Sequence, residues 1–191
     1  ILANEEQAKM KYGKEVPFSE HGNIRSREAC LKSSSMAVEL AKRENAKLHV
    51  LHITTEEELG LFEAGHSRIT AEACVHHLWF EDQSYTTLGS LIKCNPAIKK
   101  ARDRDAIRGA VNDGRISILA TDHAPHTWEE KQGTYFNAPS GLPLIQHTLL
   151  LMLEMCEQNC FSPEVIVERA CHAPARLFQG EERGYLREGY W

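Results

Sequence analysis

The residues best suited to chemistry follow an apolar run in the second half of the chain. Residues 116–121 read ISILAT, and Asp122, His123 and His126 come directly after them. A lone Asp or His after a strand would normally be a cap or a turn residue. Three titratable groups within five residues instead favour a metal site or a proton-transfer site.

A second histidine of interest ends an earlier apolar run, residues 47–53 (KLHVLHI). Side chains alternate along a strand, so His49 and His52 should point to opposite faces. Only His52 stands at the carboxyl end of the run, and we expect a neighbouring parallel strand to bring Asp122 to the same rim. An imidazole and a carboxylate together suit a divalent metal such as zinc. His49 is expected to be a helix-facing or satisfied core histidine.

The adjacent pair His76 and His77 follows another predicted strand. Either residue could face the substrate or support other ligands, but adjacent side chains rarely converge on one ion, so metal binding is not expected there. Catalytic zinc needs at least three protein ligands, and His52 and Asp122 supply only two. The other histidines are expected to be surface or structural residues: His21, His66, His147 and His172.

Helices and strands alternate along the chain. The spacing of apolar residues and the end signals predict helices over residues 2–12, 24–45, 101–113, 144–158 and 162–171. Strands are predicted over residues 47–53, 68–74, 90–94 and 116–121. This alternation implies an α/β fold with parallel strands and covering helices, as either an open doubly wound sheet or a (β/α)8 barrel.

The motifs favour the barrel. Neither G-x-G-x-x-G nor G-x-x-x-x-G-K occurs in the sequence, although a doubly wound nucleotide-binding sheet would normally carry such a turn. Polar residues instead gather where the predicted strands end, which is where barrel enzymes place their chemistry. A whole barrel takes about 250 residues, so three or four strands predict the C-terminal portion of one.

Composition excludes several classes of protein. The 191 residues include 22 Lys and Arg against 27 Asp and Glu, which gives a formal net charge of −5, and 42% are hydrophobic. Without a basic surplus, no nucleic-acid or membrane-surface partner is expected. No apolar run reaches the roughly 18 residues of a membrane-spanning helix. Six cysteines without a C-x-x-C motif or a signal peptide predict a cytoplasmic protein.

Several motifs occur together and in a fixed order. Residues 120–131 read ATDHAPHTWEEK, and the other segments are EHGNIRSREAC, KLHVLHITT, ITAEACVHHLWF, KCNPAIK, NAPSGLPLIQH and HAPARLF. Over nearly the whole chain they resemble the class I dihydroorotases of the amidohydrolase superfamily. The resemblance implies the C-terminal part of a (β/α)8 amidohydrolase barrel, starting after strand five. Val75 and Ala173 depart from the usual proline and asparagine, away from the expected chemistry.

The resemblance also implies roles for particular residues. His52 would bind the second metal of a binuclear zinc site, and Asp122 would bind the first metal and act as the general base. Glu72 and His77 match positions with a structural or supporting role. Substrate contacts are implied for a further group: Asn95, His126 and the backbone of the loop from Ala138 to Gly141.

The implied activity is the reversible, zinc-dependent cyclisation of N-carbamoyl-L-aspartate to L-dihydroorotate in pyrimidine biosynthesis. The family's His-x-His of strand one, bridging residue of strand four and histidine of strand five have no counterpart here, so the chain alone should be inactive and bind zinc weakly. Alternatives are a related cyclic amidase, of dihydropyrimidinase or allantoinase type, and a non-catalytic homologue. Retention of His52 and Asp122 argues against the non-catalytic homologue.

Two further expectations concern organisation. Residues 1–183 should form the barrel portion, and residues 184–191 should start a truncated C-terminal β segment. The expected partner is a small-molecule substrate, and the intact enzyme is expected to be a homo-oligomer. Half a barrel exposes two open strand edges, through which the isolated chain should self-associate unless its other half covers them.

Overall fold

The computed structural model describes residues 1–66 and 68–191. Short helices and 3-10 turns surround a small parallel sheet. The helices are α1 (Leu2–Tyr12), α2 (His21–Ile24), α3 (Arg27–Arg43), α4 (Val75–Trp79), α5 (Tyr85–Leu88), α6 (Ala101–Asp113), α7 (Ile145–Glu157), α8 (Pro163–Val167) and α9 (Ala173–Leu177). A π-helical turn, Glu168–His172, joins α8 to α9.

The strands form one parallel sheet in the order β1, β2, β3. β1 (Leu48–Val50) pairs with β2 (Ile69–Cys74), and β2 pairs with β3 (Ile118–Ala120). Because the strands are parallel, their carboxyl ends lie at one rim. β2 stands between the other two strands, so the expectation that His52 and Asp122 follow neighbouring strands is wrong. They follow strands two places apart.

The strand predicted over residues 90–94 is also wrong. Gly89–Ile92 forms a 3-10 turn, and Gly89 has a φ of 49°. A short apolar run of this kind cannot be assigned to a strand by periodicity alone. Ile92 and Cys94 are buried without pairing in the sheet, and Lys93 donates hydrogen bonds from its side chain to backbone carbonyls.

Local signals account for the helix ends. α1 and α6 have the bounds that the sequence predicts, and each ends before a glycine with positive φ. α3 is shorter than predicted because Ser26 caps it, its hydroxyl accepting a hydrogen bond from the Ala29 N–H. The helix predicted over residues 162–171 continues through the π-helical turn into α9.

The core lies around β2, all six residues of which are buried. A central parallel strand covered on both faces is mostly apolar, unlike a half-exposed strand, and β2 also buries two polar residues, Thr70 and Glu72. Leu78 of α4, Ile107 and Val111 of α6, and Met155 of α7 pack into the same core cluster. The helices therefore hold the sheet that carries the predicted site.

One face of α7 remains exposed. Ile145, Leu149, Leu150 and Leu153 are between 49% and 66% exposed. Among the described residues, no helix combines the length and the apolar character needed to cross a bilayer.

Residues 184–191 have no regular secondary structure, with the Arg187 guanidinium lying over the rings of Tyr185 and Tyr190. The division at residue 183 stays a prediction.

Candidate active site

His52 and Asp122 each follow a strand at the same rim of the sheet. Both have left-handed backbone conformations, with φ values of 41° and 47°. Such values are uncommon for residues other than glycine, although His and Asp adopt them more readily than most. The turn after His52 is held by the Ile53 N–H, which donates to the Glu72 carbonyl at 2.9 Å. Two similar turns thus redirect the chain where the side chains leave the sheet.

The electrostatics of Asp122 connect it to the surrounding rim. Burial raises the pKa of the Asp122 carboxyl, the nearby His52 opposes this shift, and the Glu72 carboxylate adds to it. The side chain remains 38% exposed, so it is open to water on one side. Asp122 Oδ2 lies 4.0 Å from His76 Nε2, which is too long for a hydrogen bond. Asp122 therefore sits among two imidazoles and one other carboxylate.

His49 is a satisfied histidine, as the sequence predicts. Its Nδ1 lies 2.8 Å from the Thr70 hydroxyl, and its Nε2 lies 3.0 Å from Glu72 Oε2. A carboxylate can only accept, so Nε2 carries the proton and Nδ1 accepts from the hydroxyl. The ring also meets the Phe178 ring edge-to-face, with centroids 5.7 Å apart. His49 and Glu72 hold each other at the base of the rim.

Asn95 and His52 line the same groove, of about 480 Å³. Leu51, Pro96 and Arg25 also contribute to its wall. Asn95 is exposed, so its amide is free to meet a small molecule in this groove. The volume lies within the roughly 300–1,000 Å³ that is usual for small-molecule pockets. The structure thus brings together one predicted metal ligand and one predicted substrate contact.

The two histidines of the ATDHAPH motif have separate surroundings. His123 Nδ1 accepts hydrogen bonds from the backbone N–H groups of Leu144 and Ile145, at 2.8 and 3.0 Å. It therefore satisfies the first amides of α7, a structural role. His126 Nε2 lies 3.3 Å from the Ser140 carbonyl. His126 thus contacts the loop that the resemblance assigns to substrate binding.

The backbone of that loop is already hydrogen-bonded within the protein. The Ala138 N–H donates to Thr134, and the Ala138 carbonyl accepts from Lys93 Nζ. The Gly141 N–H donates to the Lys93 carbonyl, and the Gly141 carbonyl accepts from Lys131 Nζ. A substrate that bound the Ala138 or Gly141 amide would replace an existing hydrogen bond. The carbonyls keep one further lone pair each.

Two buried lysines organise this region, and sequence reasoning missed them. Lys131 Nζ donates to the carbonyls of Gly141 at 2.9 Å and Pro139 at 3.0 Å, and it lies 3.4 Å from the Lys93 carbonyl. Lys93 Nζ donates to the carbonyls of Tyr135 and Ala138, both at 2.6 Å. Burial, reinforced by the nearby Lys131 ammonium, lowers the pKa of Lys93 to about 8. The sequence signals were the lysine that ends the ATDHAPHTWEEK run, Lys131, and the lysine that begins KCNPAIK, Lys93.

The donor set at the rim fits part of a zinc site. Zinc prefers imidazole and carboxylate donors, which His52 and Asp122 provide. His76 has two buried ring nitrogens without hydrogen-bond partners among the described residues, one of them facing Asp122. His52 and Asp122 alone are fewer than the three protein ligands that a catalytic zinc site requires. A complete site would need His76 or ligands from outside the chain.

Comparison with known proteins relates this chain to a family. The dihydroorotase of Halobacterium salinarum is 33% identical over 165 residues, which cover 86% of this chain and 39% of that protein. The dihydroorotase of Latilactobacillus sakei is 32% identical over 156 residues, covering 80% of this chain and 36% of that protein. This chain is homologous to the dihydroorotases. It spans less than two fifths of the length of these relatives, and no protein-family model matches it.

Solved structures extend the comparison to the fold. The L-hydantoinase (dihydropyrimidinase) of Arthrobacter aurescens superposes with a TM-score of 0.90 at 22% identity, over 98% of this chain and 43% of that chain. A dihydropyrimidinase from Brevibacillus agri gives a TM-score of 0.85 at 18% identity. At these identities the likeness shows the fold alone. The chain has the fold of a portion of an amidohydrolase barrel, as the sequence predicts.

Proposed function

We propose that this chain is the part of a dihydroorotase that carries the general base, one further metal ligand and part of the substrate-binding surface. The observation that carries the proposal is that His52 and Asp122 leave parallel strands at the same rim of the sheet, each through a left-handed turn, and that His52 opposes the rise in the pKa of the Asp122 carboxyl. His52 also lines the groove that contains Asn95. Homology to curated dihydroorotases at 32–33% identity supports this choice of reaction class.

The reaction is the reversible interconversion of L-dihydroorotate and N-carbamoyl-L-aspartate. In the hydrolytic direction, the Asp122 carboxylate takes the proton of the attacking water and passes it to the departing ring nitrogen. In cyclisation, protonated Asp122 returns that proton. Because burial raises the pKa of Asp122, hydrolysis should be lost as the pH falls through that raised value, and cyclisation should favour lower pH.

Zinc is the cofactor we propose, held by His52 and Asp122 together with ligands outside this chain. When bound, zinc lowers the pKa of water to about 7 and polarises the carbonyl under attack. His49 does not compete for the metal because both of its ring nitrogens have protein partners. Glu72 keeps His49 in place and adds negative charge near Asp122.

Substrate recognition is proposed for Asn95 and His126. The exposed Asn95 amide can donate to and accept from the amide groups of the substrate. His126 Nε2 lies 3.3 Å from the Ser140 carbonyl, and its Nδ1 lies 3.4 Å from Glu130 Oε2, so a substrate carboxylate would have to replace Glu130 at Nδ1. Ala138 and Gly141 would contribute their carbonyls, since their N–H groups are already bonded.

The first experiment measures dihydroorotate hydrolysis by the isolated chain, with and without added zinc. We expect no turnover above background, because the chain carries too few ligands for catalytic zinc. Robust turnover would show that the chain is catalytically complete and would contradict this account. The rim donors His52 and Asp122 by themselves are expected to bind zinc weakly.

The second experiment tests the reaction itself. The matching 156-residue segment of the Latilactobacillus sakei dihydroorotase is replaced by this chain. We expect the folded chimera to hydrolyse dihydroorotate in preference to dihydrouracil and hydantoin. Asp122→Asn should lower kcat by about 10²–10⁴-fold, the range for loss of an acid–base group. Asp113→Asn, at the end of α6 away from the rim, is the matched control.

The outcomes separate the alternatives. Preference for dihydrouracil or hydantoin would identify a cyclic amidase of the dihydropyrimidinase type. A folded, zinc-loaded chimera without activity on any of the three substrates would identify a non-catalytic homologue. Unchanged activity in Asp122→Asn would contradict the role of Asp122 as the base.

A further inference from the structure

A second group of metal-binding side chains lies next to the proposed active site and is not used by it. His76 and His77, at the start of α4, meet Cys94, which follows the 3-10 turn Gly89–Ile92. One donor atom of each residue lies within 4.8 Å of those of the other two. The three residues are 1%, 4% and 1% exposed. We refer to them as the His–His–Cys cluster.

The nitrogens of this cluster lack partners. Both ring nitrogens of His76 and Nδ1 of His77 are buried without a hydrogen bond among the described residues. Buried polar atoms of native proteins nearly always have a partner, so each exception calls for an explanation. A cation between the rings would supply the missing interaction. The imidazole rings are also close, with centroids 4.0 Å apart.

The hydrogen bonds of His77 prepare it for a metal. Its Nε2 lies 2.9 Å from the Pro96 carbonyl. The carbonyl can only accept, so Nε2 carries the proton and the lone pair is on Nδ1, the atom without a partner. Metal-binding histidines commonly donate their other N–H to a backbone carbonyl in this way, which fixes the ring and its tautomer.

Cys94 completes the donor set. Its Sγ lies 3.2 Å from the Pro96 carbonyl, the same carbonyl that His77 Nε2 meets, so the sulfur would turn from that carbonyl to reach a cation held by His77 Nδ1. Burial raises the pKa of the Cys94 thiol to about 12, so without a cation the sulfur is a neutral thiol. On metal binding the S–H bond breaks, its proton passes to solvent, and a metal–thiolate bond forms.

We propose that His76, His77 and Cys94 form a separate site for a thiolate-preferring transition metal, with zinc as the fitting ion. Two imidazoles and a thiolate suit zinc and related metals, and they do not suit magnesium or calcium. Metal–ligand distances of about 2.0–2.3 Å require the three side chains to close by about 1 Å.

The experiment uses Co²⁺ as the probe on the metal-free 191-residue chain. We expect saturable binding with a thiolate-to-cobalt charge-transfer band in the near ultraviolet, which only a cysteine ligand produces. Cys94→Ser should abolish the band. Cys74→Ser is the matched control, because Cys74 is equally buried but lies outside the cluster, and it should keep the band.

Two further variants separate this site from the proposed active site. His52→Ala and Asp122→Asn remove the proposed zinc ligands of the rim, and we expect both to keep the band. Retention of the band in Cys94→Ser would assign the thiolate to another cysteine, and loss of the band in His52→Ala would show that the metal depends on the rim. Either result would overturn the proposal. No thiolate band in the unmodified chain would also overturn it, whatever the dihydroorotase assays show.

A last variant tests the same site independently, in case Cys94→Ser does not fold. His76→Leu removes both unpartnered nitrogens and keeps an apolar side chain in the core. We expect its Co²⁺ affinity to fall at least about 100-fold while its unfolding without metal shows no loss of stability. Unchanged affinity would show that His76 is a packing residue and would contradict the proposal.

Discussion

At the scale of single residues, environment separates the ten histidines of this chain. His49 and His21 have protein partners on both ring nitrogens, His123 satisfies the start of α7, and His76 has no hydrogen-bond partner among the described residues. His52 leaves the sheet through a left-handed turn towards Asp122. Histidine side chains in this chain therefore serve as structural groups, capping groups or ligands, according to which groups face their two ring nitrogens.

His21 gives a pH-dependent prediction. Its Nε2 lies 2.7 Å from the Cys94 carbonyl, and its Nδ1 lies 2.8 Å from the Tyr135 hydroxyl. Burial lowers its pKa from 6.5 to about 4, so the unfolded chain binds more protons between these values. The free energy of unfolding should therefore fall as the pH decreases from about 6.5 to 4, by on the order of 3 kcal/mol from this residue.

Urea unfolding at several pH values measures this effect. Other buried histidines add to the same trend, so the informative quantity is the difference between the wild-type slope and that of His21→Gln. In His21→Gln the free energy of unfolding should fall less as the pH decreases. In His147→Gln, at an exposed position, it should fall as much as in the wild type. Equal slopes in the wild type and His21→Gln would show that His21 stays accessible to protons.

At the scale of elements, two buried ammonium groups hold the loop from His123 to Leu142, together with the 3-10 turn Glu130–Gln132 and the bridge between His123 and Leu142. Lys131 and Lys93 place their ammonium groups among backbone carbonyls of this loop and of its neighbour. A buried ammonium must have all its hydrogen bonds satisfied, so these contacts restrict the loop to one conformation. That conformation brings Ser140 against His126.

Replacing Lys131 should release the loop. In Lys131→Met the carbonyls of Gly141 and Pro139 lose their donor, and we expect faster hydrogen exchange at the Gly141 amide and a loss of about 1–3 kcal/mol of stability. Lys99→Met is the matched control, since Lys99 is also buried but donates to Ala97, outside the loop. Exchange at Gly141 that is equally fast in both variants would contradict a local clamp.

Gly141 gives a second prediction at this scale. It has a φ of +148°, and a Cβ there would lie 2.4 Å from the Ala124 carbonyl oxygen. Gly141→Ala should therefore destabilise the chain by about 1–3 kcal/mol, measured by urea unfolding. Gly60→Ala is the control, because its Cβ would meet no atom within 4 Å. Similar losses in both variants would show that the close approach to Ala124 is not the cause.

At the scale of the whole molecule, the sheet ends at two strands that pair on one side only. β1 and β3 each pair with β2, and no other strand is present among residues 1–66 and 68–191. Helix α7 also presents Ile145, Leu149 and Leu153, spaced one turn apart and all exposed. Open strand edges and apolar helix faces promote association.

The isolated chain should therefore self-associate. Sedimentation velocity over a concentration series should show species larger than the monomer, and the double variant Leu149→Glu with Leu153→Glu should shift the distribution towards monomer. Met10→Glu is the control, because Met10 is 79% exposed on α1, away from this face. A monomer at all concentrations in the unmodified chain would contradict the prediction.

Local patterns were sufficient for much of this architecture. The bounds of α1 and α6, the presence of a strand at β2 and the position of Asp122 after an apolar strand all follow from spacing and end signals. The family resemblance follows from ordered motifs, which the curated relatives confirm. These features depend on residues close together in the chain, so the sequence contains the information directly.

Contacts between segments far apart in the sequence could be identified only in the folded chain. The sequence did not show that β2 separates β1 from β3, that residues 89–92 form a turn, or that Lys131 meets the Lys93 carbonyl 38 residues away. Nor did it show that His76 and His77 meet Cys94 in a buried cluster. Burial, pKa shifts and unpartnered polar atoms arise from side chains that only tertiary packing brings together, so neighbouring residues cannot encode them.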